Sequence, residues 1–107
     1  MSWATEYIKQ LHETPYYVWF RPQGRSMEPL VLSGQNCCVE RTPHSIRGSS
    51  LVGRIALAAV NGKNYLHLIG ACAFNGEWFY RIENASGHVN GWVKIGHIHG
   101  LLKLVED

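Results

Sequence analysis

Two Asn-Gly pairs constrain this chain more than any other feature. Arg54–Val60 is an apolar run that ends in Asn61-Gly62, and Asn64–Cys72 follows it. Asn75-Gly76 then leads into Glu77–Glu83. Asn-Gly between two strand-like runs is the strongest short hairpin signal, because both residues tolerate the positive φ of a tight turn. Residues 54–83 therefore read as a three-stranded antiparallel meander, and a meander needs further strands or a helix to cover it.

The rest of the chain supplies them. Tyr16-Tyr17-Val18-Trp19-Phe20 is rich in strand formers, Asn36–Arg41 reads as a strand, and His99–Val105 as the last one. Residues 2–13 have helical spacing: Trp3, Tyr7, Ile8 and Leu11 share a face, Ser2 is placed to cap it, and Thr14-Pro15 to stop it. A helical turn is expected near Met27-Glu28-Pro29, since proline fits a first turn. Thr42–Ser50 and Asn84–Gly91 read as loops. The expected fold class is mainly β, antiparallel, with one short N-terminal helix. The expected organisation is a single domain over 1–107, with the helix in 1–14 and a β-rich core in 16–105.

Composition narrows the function classes. Hydrophobic residues make up 46% of the 107 and charged residues 17%, a globular balance. Net charge is +2 and the ten Lys and Arg are scattered, so no nucleic-acid partner is expected. No stretch reaches the roughly 20 apolar residues of a membrane span, and Met-Ser-Trp-Ala-Thr-Glu-Tyr has no basic segment followed by an apolar one. No direct membrane insertion and a cytoplasmic location are expected. The three cysteines, Cys37, Cys38 and Cys72, do not form a disulfide framework. Of the adjacent pair, one is expected buried and the other half-exposed, in a reducing compartment.

Two segments carry candidate chemistry. In Gly24-Arg25-Ser26-Met27-Glu28-Pro29 a serine sits on a turn after a strand, with a glycine that lets backbone approach closely. In Tyr65-Leu66-His67-Leu68-Ile69 a histidine shares its strand face with Tyr65 and Ile69. A serine hydroxyl needs a neighbouring base, and imidazole, with a pKa near about 6.5, suits that task near neutral pH. Each segment alone has an ordinary structural explanation, as a turn serine or a hydrogen-bonded core histidine. His97-x-His99 on one strand face, with His88, is a possible metal cluster, but no Cys-x-x-Cys spacing accompanies it, so no metal and no cofactor are expected.

Taken in order along the chain, these pieces resemble the catalytic fold shared by signal peptidase I and the LexA/UmuD self-cleaving peptidases. Gly24–Pro29 resembles their serine box, and Ser33-Gly34-Gln35 the Gly-Asp step after it. Gly53–Gly62 resembles the next strand and hairpin. Tyr65–Gly70 falls where the family carries its general base, and Gly87–Val93 with Ile95–Gly100 resembles the closing strand and its lead-in. The resemblance spans about residues 16–105. It implies a serine endopeptidase with Ser26 as nucleophile and His67 as base. Most bacterial members have lysine there; the endoplasmic-reticulum and archaeal types have histidine. It also implies an extended peptide or protein substrate with small residues before the cut, and pairing of two copies through an edge strand. The Ser26 N–H is the implied oxyanion donor, on a turn shaped by Gly24; the hydroxyl that some signal peptidases carry two residues before the nucleophile is missing at Gly24. The acidic residue of the family's late Gly-Asp motif is also missing, which leaves Asn84, Ser86, His88 or Asn90 to orient His67. A second reading, from another class, is a catalytically degenerate member that binds peptide or protein without cutting it. Without a DNA-binding segment or an Ala-Gly or Cys-Gly pair, self-cleavage is not expected.

Overall fold

In a computed structural model, which describes residues 3–13, 16–43 and 45–107, the chain forms one seven-stranded, wholly antiparallel sheet. The strands are β1 (Tyr17–Phe20), β2 (Asn36–Arg41), β3 (Ile55–Val60), β4 (Lys63–Phe74), β5 (Trp78–Glu83), β6 (Val89–Lys94) and β7 (Ile98–Glu106), with one helix, α1 (Thr5–Leu11). Their order across the sheet is β1-β2-β7-β3-β4-β5-β6. The fold is mainly β, as expected. No helix among the described residues is long and apolar enough to cross a membrane.

The β3–β4–β5 meander forms where the Asn-Gly pairs put it. Asn61 and Gly62 turn the chain with φ of 50° and 81°, and Val60 pairs with Lys63. The last strand, β7, does not extend the meander. It inserts between β2 and β3, pairing Leu101 with both Glu40 and Ala56. Two apolar clusters result. Leu11, Val18, Phe20, Met27, Val31, Val39, Leu57 and Leu66 belong to the first. Leu51, Ala58, Ile69, Tyr80, Ile82 and Ile98 belong to the second, where the fully buried Tyr80 accepts the Gly48 N–H on its hydroxyl at 2.8 Å.

The helix is shorter than expected. It starts after Ala4, which supplies no side-chain cap; Ser2, Thr14 and Pro15, on which the expected cap and stop fall, lie outside the described residues. A cap is worth about 1 kcal/mol, whereas complete burial of Leu11 is worth roughly 1.5–3 kcal/mol. Packing therefore holds this seven-residue helix, which is too short to persist alone.

Four further expectations are corrected. The segment after Ser26 is a series of turns, with Val31 N–H on Met27 O at 3.0 Å and a cis Glu28–Pro29 peptide, and no helix. Asn84–Gly91 is not all loop: residues from Val89 onward belong to β6, where Val89 and Gly91 pair with Glu83 and Ile82 of β5 and Asn90 falls at the bulge between them. Thr42–Ser50 runs into a short 3₁₀ turn at Gly48–Leu51. Cys37 and Cys38 point to opposite faces yet are both buried, because Cys38 lies between Trp19 of β1 and Leu104 of β7 on the other face.

Candidate active site

Ser26 is held by contacts from three parts of the chain. Gly24 takes a φ of 107°, which an L side chain rarely adopts, and so lets the chain turn sharply out of β1. Its N–H donates to Ser33 Oγ at 3.0 Å. The Ser26 carbonyl accepts the Ala85 N–H at 2.9 Å, which ties the serine turn to the β5–β6 loop. Ser26 itself is exposed, and among the described residues its N–H has no partner. That leaves the N–H free as an oxyanion donor, whereas the Gly24 N–H is engaged.

His67 stands on the adjoining strand, paired with Ala56 of β3. Period-two alternation puts it beside Tyr65, whose ring lies 4.8 Å from the imidazole. Its side chain is buried, with residue exposure of 6%. Ser26 Oγ lies 3.0 Å from His67 Nε2, although 41 residues separate the two in sequence.

On the far side of the ring, Asn90 Oδ1 lies 2.7 Å from His67 Nδ1. An amide oxygen only accepts, so this contact selects the tautomer with the proton on Nδ1. Nε2 then carries the lone pair and accepts the Ser26 hydroxyl proton. Burial pushes the His67 pKa below its usual value; the bond to Asn90 opposes that shift and the nearby His88 reinforces it. The imidazole therefore stays neutral, in the form a general base needs.

Asn90 reaches this position because of Gly91. Its φ is 155°, and a Cβ built there would lie 2.8 Å from Val60 Cγ1. Only a residue without a side chain lets β6 pass this close to the end of β3. The remaining candidates do other work. Asn84 Oδ1 accepts the N–H of Ser86 and of His88 and the Ser86 hydroxyl, at 3.1, 2.9 and 3.0 Å, and so closes the β5–β6 loop. Neither Ser86 nor His88 hydrogen-bonds His67.

Local sequence did not signal several supports: Ser33 under Gly24, Ala85 on the Ser26 carbonyl, and Gly91 beside Asn90. Gln35 accepts the Leu32 N–H at 2.8 Å and donates to Asp107 at 2.9 Å, a structural role.

Among the described residues no three His, Cys, Asp or Glu side chains are grouped to hold a metal. His97 closes a 3₁₀ turn and His99 lies on β7, so the two do not share a strand face as expected. Burial pushes the Cys37 and Cys38 thiols up, away from the thiolate a cysteine nucleophile requires.

Ser26 and His67 open onto a cleft of about 470 Å³. Comparison of the chain with protein-family models, with curated proteins and with solved structures found no match in any of the three.

Proposed function

We propose that this chain is a serine endopeptidase of the signal-peptidase and LexA/UmuD-like kind, acting through Ser26 and His67 with Asn90 as the orienting residue. The observation that carries the reading is the 3.0 Å approach of Ser26 Oγ to a buried His67 Nε2. The neutral imidazole, aligned by Asn90, takes the hydroxyl proton as Oγ attacks a peptide carbonyl. The Ser26 N–H stabilises the resulting oxyanion. His67 then delivers the proton to the departing amine as the C–N bond breaks. Water, deprotonated by the same imidazole, hydrolyses the acyl-serine and restores both groups. The Ser-His-Asn order of roles has a counterpart in peptidases that align histidine with an amide instead of a carboxylate. The free, largely buried cysteines fit a reducing, cytoplasmic setting.

One observation favours a slower enzyme or a peptide-binding module: the Gly24 N–H is taken by Ser33 Oγ and so is not available to the oxyanion. Loss of one such donor costs about 10²–10³-fold in rate. A fluorophosphonate probe separates the readings. Catalytic competence gives a covalent adduct that maps to Ser26 and disappears in Ser26→Ala. An unlabelled wild-type protein that retains its fold contradicts the peptidase reading and leaves the binding module.

A further inference from the structure

The cleft beside Ser26 and His67 runs into an apolar hollow. Trp3, Tyr7 and Phe20 line one side as a packed aromatic group: Tyr7 stacks on Phe20 at 4.7 Å between centroids, and Trp3 lies 5.6 Å from Phe20. Met27, Val31 and Leu66, all buried, extend this apolar wall, while Gln23 and Asn64 add polar groups elsewhere in the cleft. No carboxylate lines the cleft among the described residues, and its charged member, Arg21, donates to the Gly34 carbonyl at 2.8 Å.

We infer that this hollow is a specificity subsite for a large apolar side chain, of phenylalanine or leucine size, on a substrate residue next to the scissile bond. The inference rests on the reading of Ser26 as the nucleophile. It departs from the small residues that the family resemblance implies. Three observations support it. The aromatic wall and the Ser26–His67 pair line one continuous cleft, so a substrate bound at the pair can place a side chain against that wall. The whole cleft, about 470 Å³, has room for a substantial apolar group on this wall beside the reacting backbone. A methyl side chain would leave the aromatic and aliphatic surface wet or empty, forfeiting burial that grows with apolar area.

Helix α1 supplies part of this wall. Trp3 precedes it and Tyr7 lies within it, so the N-terminal segment shapes the substrate site as well as covering the first apolar cluster.

The test uses two diphenyl phosphonate probes that differ only in side chain, benzyl against methyl, with a small alkyl fluorophosphonate as control. In each phosphonate reaction Ser26 Oγ forms the bond to phosphorus as phenoxide leaves, and the serine proton passes through His67 to the phenoxide. A pocket distinguishes side chains by about 10-fold or more per methylene-sized difference. The benzyl probe is therefore expected to label Ser26 at least about 10-fold faster than the methyl probe. Trp3→Ala is expected to shrink that ratio. Equal rates, or a faster methyl probe, with Ser26 still labelled by the fluorophosphonate, overturn the subsite and leave the nucleophile reading standing. Failure of all three probes to label Ser26 removes both.

Discussion

Asn90 Oδ1 approaches His67 Nδ1 to 2.7 Å, on the side of the ring opposite Ser26. An amide occupies the place where a carboxylate would hold an imidazolium. It fixes the tautomer without adding a negative charge, so burial dominates and the histidine remains neutral. Two substitutions separate orientation from charge. Asn90→Ala strands a buried N–H, at a cost of about 1–3 kcal/mol. It is expected to slow Ser26 labelling by less than the roughly 10²–10⁴-fold attributable to the base itself. Asn90→Asp keeps the acceptor and favours the imidazolium. Its pH–rate profile is expected to move to higher pH. Labelling kinetics across pH check both; an unchanged profile in Asn90→Asp contradicts the contact.

The pH dependence of the wild-type protein follows from the same burial. A lysine base would need its pKa brought down from about 10.4. His67, held below its ordinary value of about 6.5, is neutral at neutral pH without any such shift from the alkaline range. Labelling of Ser26 is expected to rise with pH through a midpoint below about 6.5 and then level off. The rate profile with a fluorophosphonate measures this. A midpoint in the alkaline range contradicts His67 as base.

Stability carries the same sign. His67 and His99 both have pKa values lowered by burial in the folded state. The unfolded chain then binds more protons than the folded one between the lowered values and about 6.5. Stability is full above the unfolded value and falls as pH decreases through this window. Thermal melting is expected to decline between about pH 7 and pH 5, and His67→Gln is expected to flatten part of the decline. A melting temperature that rises on acidification contradicts the buried neutral state of these groups.

Gly91 ties the fold to the site. A methyl group at this position meets Val60 Cγ1 at 2.8 Å, so Gly91→Ala forces β6 away from β3. Overpacking of this kind costs about 1–3 kcal/mol. Because Asn90 is the preceding residue, the rate of Ser26 labelling is expected to fall together with stability. Val60→Ala in the Gly91→Ala background is expected to recover part of both, measured by denaturant unfolding and by labelling. Full wild-type behaviour of Gly91→Ala contradicts the close approach.

How legible each feature was depended on how local its cause is. The hairpin turn at Asn61-Gly62 is set by residues within a few positions of it, and so could be read directly. Alternation along β4 put His67 on the Tyr65 face for the same reason. The order of β7 between β2 and β3 depends on pairings of Leu101 with Glu40 and Ala56, both far from it along the chain, which no local pattern announces. Strand β6 was hidden because Asn90 and Gly91 have loop chemistry; pairing with β5 and the gap above Val60 override it. The identity of the residue behind His67 was hidden with it. A bulge between Ile82 and Glu83 shifts the register that brings Asn90, and not His88, to the imidazole. The second buried cysteine followed from β7 as well, since Leu104 covers Cys38 from a strand far along the chain.

The most direct test of the account is cleavage of a mixed peptide library by the purified wild-type protein beside Ser26→Ala and His67→Ala, each checked for a retained fold. The wild type is expected to produce defined internal cuts that both variants lose. Cuts that persist in Ser26→Ala at the wild-type rate, or no cuts by the wild type at all, would contradict Ser26 as the nucleophile of an endopeptidase.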